Sequence, residues 1–410
     1  MKKMLLSAAA FAVVAVSTAV VAPTTSEAIP AFARQTGAAC LSCHFQSFPT
    51  ISAFGRSFKM GGFTDVGEQA LIEDDALSIP SVLNATVVVR PQIIQSKTGA
   101  VTTKEISYAD QVVLIAGRIG SNTGAFVELG GGAFGNHQLI HSVDMGGFKV
   151  GASYYNTGFG EDAGMQLSNV WGQHGGMMNA RFVSANQNLF KGSTIGGGQI
   201  AGLTAFIGNE MGAIQVGLTA PSDGTVWGVA GAGGSTFTAA PMVRANGFFE
   251  VGGMSLGLGG IIVNGNIGSV GQFVLADPLL TATQQLVTKR WGLDAQLEGE
   301  LGDSQFGLYA DYASAAKSTA VNVNNYNADT LKNLTGWSVR GTIKPLHNVV
   351  LAAGYGQAQA TNKITYTNVA VEYEIYQNFI IALTHEISKA TVAAVATTTK
   401  TTTLDIEALM

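Results

Sequence analysis

The stretch "WGLDAQLEGELG" leaves few folds open. Trp291, Leu293, Ala295, Leu297 and Leu301 fall on one side of an extended chain, and Asp294, Gln296, Glu298 and Glu300 on the other. A helical face would need apolar residues three and four apart, whereas strict alternation is the mark of a strand with one apolar and one polar side. "WSVRGTIK" repeats the habit, with Trp337, Val339 and Ile343 set against Ser338, Arg340, Thr342 and Lys344. "ITYTNVAVEYEIYQN" does so again, with Val369, Val371, Tyr373 and Ile375 against Asn368, Glu372 and Glu374. Such segments recur from about Val82 to the C-terminus. Turn-like groups such as "NGNIGS", "LGDSQ", "NVNNYNADT" and "YQN" separate them.

Composition decides what surrounds those strands. Charged residues are 12% of the chain, against roughly 25% in ordinary soluble domains, and glycine supplies 52 of 410 residues. Past the first thirty residues no apolar run reaches the length of a membrane-spanning helix. A chain this poor in charge must cross lipid as strands if it crosses at all, and strands in hydrocarbon have to close so that every backbone group is paired. The expectation is an all-β transmembrane barrel of about 16 antiparallel strands in the bacterial outer membrane, with lipid as a partner. Tyr154, Tyr155, Trp171, Trp227, Phe248, Phe249, Trp291, Trp337, Tyr373, Tyr376 and Phe379 are candidates for its interfacial girdles. "TTTLDIEALM", with Leu404, Ile406, Ala408 and Met410 opposite Asp405 and Glu407, reads as the closing strand. The net charge of −5 lacks the basic footprint of nucleic-acid binding.

The chain opens with a secretory pattern. Lys2 and Lys3 precede an apolar stretch from Leu5 to Val21, and small residues offer cleavage after Ala22 or Ala28. Ala28 is preferred because Pro23 follows the earlier site. The resulting division is a signal peptide at 1–28, a small haem-binding cytochrome c segment at 29–75 and a barrel at 76–410.

Both cysteines lie just beyond the signal, in Cys40-x-x-Cys43-His44. That pattern, in an exported chain with no other cysteine, reads as an attachment site for one covalently bound c-type haem, with His44 as proximal iron ligand. A redox Cys-x-x-Cys would sit beside a βαβ pattern, a structural zinc site needs four ligands, and a plain disulfide leaves His44 unexplained. Met60 is a candidate distal ligand, with Lys59, a barrel histidine or an open position as alternatives. The segment is too short to bury a convincing core alone. Phe32, Phe45, Phe48, Phe54, Phe58 and Phe63 would pack on the haem, and Arg34, Arg56 and Lys59 would meet its propionates.

Other motifs carry less. His137 and His141 have an H-x-x-x-H spacing, and His174, His347 and His385 stand singly. "GGGQIA" (Gly196 to Ala201) matches a dinucleotide fingerprint without the βαβ unit it requires. Glu161 and Asp162, or Glu73, Asp74 and Asp75, supply hard oxygen ligands that are ordinarily solvated loop charge.

"PAFARQTGAACLSCHFQSFPTISAFGRSFKMGGFTD" resembles the N-terminal signature of the fused monohaem cytochrome–porins, outer-membrane iron oxidases, over roughly residues 29–65. The resemblance implies haem on Cys40 and Cys43, iron held by His44, and oxidation of extracellular Fe(II) with electrons passed to a periplasmic carrier cytochrome. The alternatives are a conduit of the same build for another donor or acceptor, and a non-redox solute porin with a haem plug.

Overall fold

The computed structural model describes residues 30–75, 77–130, 133–156, 165–170, 199–222, 239–269 and 284–410. The stretch 1–28, read above as a signal peptide, and Glu161, Asp162, Trp171, His174, Gly196 and Trp227 lie outside them.

Among the described residues three short helices come first: α1 (Pro30–Thr36), α2 (Cys40–Cys43) and α3 (Ala53–Met60). A small antiparallel hairpin follows, β1 (Leu71–Asp74) with β2 (Leu77–Pro80). The next strands are β3 (Ala85–Thr98), β4 (Val101–Gly120), β5 (Thr123–Gly130), β6 (Ala133–Asp144), β7 (Lys149–Asn156), β8 (Gln199–Asn209), β9 (Gly212–Ser222) and β10 (Ala240–Val251). After these come β11 (Met254–Ser269), β12 (Gln285–Leu301), β13 (Ser304–Ala315), β14 (Asn322–Asn324), β15 (Leu334–Leu346), β16 (Val349–Gln359), β17 (Lys363–Tyr376), β18 (Phe379–Val392) and β19 (Val395–Leu409).

Strands β3 to β19 form one closed barrel. Each long strand is antiparallel to the next, and β19 closes on β3 with Leu409 opposite Val88. The three-residue β14 is set apart, because β13 pairs directly with β15 while β14 runs parallel to β12. Sixteen long antiparallel strands therefore make the wall, as the alternation predicts.

The wall is inside-out relative to a soluble protein. Leu293 is 55% exposed while its neighbour Asp294 is 6% exposed. Trp337, Val339 and Ile343 face outward and Ser338, Arg340, Thr342 and Lys344 inward, residue for residue as read. On the outer face Trp291 meets Tyr312 at 5.3 Å and Trp337 meets Tyr355 at 5.4 Å between ring centroids, an aromatic row across four strands. Tyr155 and Phe248 are corrections to the girdle. Both are buried on the inner face while Tyr154 and Phe249 point out, because consecutive strand residues cannot share a face.

The two ends of the barrel differ. At one end the strands are joined by brief turns at 121–122, 210–211, 252–253, 302–303, 347–348 and 377–378. At the other, consecutive wall strands are separated by longer stretches of sequence, 157–198, 223–239, 270–284 and 316–333. In outer-membrane barrels the short turns are periplasmic and the long loops extracellular. The barrel's first residue, Ala85, and its last, Leu409, sit at the short-turn end.

Two pieces of chain fold inward. Residues 30–64 occupy the short-turn end of the lumen as a plug. From the extracellular side Met165–Val170 also turn in, and all six are buried. The group "NVNNYNADT", read as a turn, caps that side as well. Asn324 accepts from the Lys289 amide at 3.2 Å and donates to the Lys289 carbonyl at 2.9 Å.

Candidate functional site

The plug is fastened around the whole wall. Gln35 is wholly buried. Its amide donates to the carbonyls of Phe63 (2.6 Å) and Asp65 (2.8 Å), and its Oε1 accepts from the Arg118 amide at 3.0 Å. The Ala31 amide donates to Thr86 Oγ1 at 3.0 Å, and the Arg34 guanidinium donates to the Ala85 carbonyl. On the far side Gln46 donates to the Gln305 carbonyl at 2.9 Å and accepts from Thr342 at 2.7 Å. Arg56 lies 3.9 Å over the Phe248 ring, so Arg34 and Arg56 are both committed to the wall.

Inside this frame the motif has a definite shape. Helix α2 is a single turn, and residues three apart on a turn project to the same side, which places Cys40 and Cys43 together. His44 ends the turn in extended backbone, its amide donating to the Cys40 carbonyl at 2.9 Å. The His44 ring nitrogen Nδ1 lies 3.0 Å from the Thr50 carbonyl oxygen. A carbonyl can only accept, so Nδ1 carries the proton and Nε2 keeps its lone pair, the arrangement usual for a metal-ligating histidine. Burial holds His44 well below its ordinary range, at a pKa of about 4, so the ring is neutral at physiological pH. Burial also pushes the Cys43 thiol up to about 11, which makes it a poor free nucleophile.

Cys43 and His44 open onto a cavity of about 110 Å³. Phe32, Phe48, Phe58 and Phe63 of the plug line it, together with Val88, Val112, Leu114, Phe126 and Leu409 of the wall. Phe32 stacks on Phe63 at 5.0 Å and meets Phe58 edge-on at 5.1 Å. Three carboxylates reach the same space. Glu128 accepts from Asn136 at 3.1 Å, Glu407 lies 3.6 Å from Arg90, and Asp110 is the third. Cys43, one neutral histidine nitrogen and an aromatic-lined space, with Cys40 three residues back on the same helical turn, form a donor set that fits a c-type haem.

Met60 and Lys59 separate here. Met60 is buried against strand β8, where its sulfur abuts Gly208, and it packs with Phe206 and Ala213. It is not part of the cavity lining, but Lys59 is. Burial lowers Lys59 to a pKa of about 7. The residue spacing alone could not tell these neighbours apart, because the phase of α3 is set by a tertiary contact at Gly55.

The remaining candidates are not gathered. His137 and His141 share the outer face of β6, and four residues along a strand separate them by roughly 13 Å, too far for one ion. His141 Nδ1 contacts Thr123 at 2.8 Å, and His385 Nδ1 contacts Thr402 at 2.9 Å. Glu73 is taken by Ser78 at 2.9 Å. Among the described residues no group of three His, Cys, Asp or Glu is placed to hold a metal ion.

A second polar centre, which the sequence did not reveal, joins the plug to the inward Met165–Val170 segment. Asn169 accepts from the Ile51 amide at 2.8 Å and donates to the Ile51 carbonyl at 2.9 Å and to Glu298 at 2.7 Å. Tyr309 donates to the same carboxylate at 3.2 Å, and Arg340 lies 4.2 Å over the Tyr309 ring. The segment has no periodicity, so no pattern marked it.

No family model matches the chain, and no curated protein matches it. Solved structures do. The barrel is similar to a loop L8 deletion mutant of OmpT, an outer membrane protein of Vibrio cholerae. The TM-score is 0.50 at 13% identity, covering 80% of this chain and 99% of that one. It is also similar to the outer membrane protein OpdK of Pseudomonas aeruginosa, with a TM-score of 0.45 at 9% identity over 83% of this chain and 100% of that one. OccK8 (OprE) of the same organism gives 0.45 at 7% identity over 80% of this chain and 97% of that one. The chain is an outer-membrane β-barrel protein.

These findings overturn the assignment to the fused cytochrome–porin iron oxidases and, with it, Fe(II) oxidation and electron transport as the function. The resemblance rested on about 37 residues, whereas the likeness to OmpT of Vibrio cholerae spans 80% of the chain and leads to an outer-membrane barrel. The described residues also gather no metal-holding cluster that would dock Fe(II).

Proposed function

We propose that this chain is a solute porin whose lumen is narrowed at its periplasmic end by a plug that carries one covalent c-type haem. The observation supporting it is the seating of residues 30–64 inside a wall of inward polar side chains. Arg244 pairs with Asp294 there, and Lys344 reaches Glu374 at 2.7 Å. Inward charge of both signs beneath an outward apolar belt is the build of a barrel that passes small polar solutes.

In this reading Cys40 and Cys43 hold the haem and His44 Nε2 ligates its iron. When bound, the group supplies a broad apolar plate that the plug's own few residues cannot provide. Phe32, Phe48, Phe58 and Phe63 shield it from water, and Thr50 fixes the His44 ring by accepting from Nδ1. The role of the group here is to consolidate the plug.

The test is single-channel conductance in planar bilayers, with covalent haem measured on the same preparations. Wild-type protein should carry one haem per chain and give discrete conductance steps. The C40A/C43A variant should lose the haem and keep or enlarge the steps. An electrically silent wild type and variant would overturn the porin reading, and wild type matured without covalent haem would overturn the cofactor.

A further inference from the structure

We infer that Lys59 is the second protein ligand to the iron of the plug haem, an inference that rests on the haem reading above. Helix α3 is pressed onto the attachment turn at Gly55, where an added Cβ would fall on the Cys43 carbonyl oxygen. That contact fixes which face of α3 looks toward the motif. Lys59 follows Gly55 by four residues and therefore shares its face, about 40° round the axis, whereas Met60 lies about 140° round. Both Gly55 and Lys59 line the cavity onto which Cys43 and His44 open. Met60 is turned to Gly208 of the wall.

The chemistry of Lys59 supports the same assignment. It is 9% exposed and, among the described residues, has no hydrogen-bond or ion-pair partner. As the nitrogen–iron bond forms, the proton passes to water and the amine lone pair is used. No redox change is involved. The three carboxylates at the same cavity are already engaged: Glu128 accepts from Asn136, Glu407 lies by Arg90, and Asp110 interacts electrostatically with the same guanidinium. His44 and Lys59 would then give the iron two nitrogen ligands.

The experiment uses the full chain with haem attached. Haem content is measured by pyridine haemochrome, and coordination is read from the electron paramagnetic resonance and near-infrared spectra of the ferric state. Wild type should be low-spin with two nitrogen ligands. Lys59→Leu, which keeps apolar volume in the cavity, should retain covalent haem but turn predominantly high-spin, and added methylamine should restore the low-spin form. Met60→Leu should leave the spectrum unchanged. A Lys59→Leu protein with full haem and an unaltered spectrum would overturn the assignment, as would loss of the ligand in Met60→Leu. An unaltered spectrum would mean that Lys59 pairs with a propionate instead. Absence of covalent haem from wild type would overturn the haem reading as well, so the two failures are distinguishable.

Discussion

The Lys344 ammonium donates to the backbone carbonyl of Gln46 at 2.5 Å, joining the plug to a strand nearly three hundred residues later in the chain. The same ammonium reaches Glu374 at 2.7 Å, and both charged side chains are buried. Around Gln46 the wall thus offers a cation, the Thr342 hydroxyl and the Gln305 carbonyl. Truncation to Gln46→Ala removes two of these bonds and leaves Thr342 and the Gln305 carbonyl to find new partners. The expected loss is about 2 kcal/mol of plug docking, equivalent to roughly a thirtyfold rise in the undocked fraction. Limited proteolysis of residues 30–64 in the intact barrel measures it. A cleavage rate equal to wild type would show that this contact does not hold the plug.

Asn169 is the counterpart on the extracellular side. Its side chain makes both strand-like bonds to Ile51 and one to Glu298, and its amide donates to Gln296 at 2.8 Å. Asn169→Ala strips three of these and leaves a buried carboxylate short of a donor, which should cost about 3 kcal/mol. The variant should show larger and noisier conductance steps, because the inward segment no longer braces the plug. Asn169→Asp should be worse than alanine, since it sets a second carboxylate against Glu298. Steps indistinguishable from wild type in both variants would remove Asn169 from this role.

The wall was legible because its physics is local. On β15 each of Trp337, Ser338, Val339, Arg340, Thr342, Ile343 and Lys344 sits on the face that alternation assigns. Adjacent aromatic pairs misled for the same reason: listing Tyr154 with Tyr155 ignores that only one of them can meet lipid. Met165–Val170 and Asn324–Asn327 were illegible, since their burial comes from wall groups far away in sequence and polar residues without a period read as loop. The motif at Cys40, Cys43 and His44 was visible as chemistry. The choice between Lys59 and Met60 needed the contact of Gly55 with Cys43, which no spacing encodes.

The outward belt makes its own prediction. Val339 lies near the middle of β15 and is exposed on the outer face, one residue from the inward Arg340. That position near the strand's midpoint is assigned to the bilayer midplane, so Val339→Arg places a guanidinium in hydrocarbon and should destabilise the barrel by about 2–4 kcal/mol. The midpoint of urea unfolding in lipid vesicles reads this out, and Leu346→Arg, at the strand's end, should cost less. Equal effects at both positions would contradict the assigned depth.

The extracellular rim should respond to acid. Asp329 accepts from the Thr361 amide at 2.8 Å, the Leu331 amide at 2.7 Å and the Lys332 amide at 2.9 Å, tying the 316–333 connection to the turn after β16. Hydrogen bonds from Thr361 in particular hold its carboxyl well below the usual carboxylate range. A carboxyl whose folded-state pKa is depressed stabilises the fold at neutral pH. That contribution begins to fade below the unfolded value of about 3.9 and is lost as pH falls through the folded one. Hydrogen exchange at Leu331, Lys332 and Thr361 should stay protected at pH 6, weaken below pH 4 and recover on return. Asp329→Asn should exchange faster at pH 6 and show little further change at low pH. Wild-type protection that is flat down to pH 2 would mean the rim is held by Asn324 and Asn327 without Asp329.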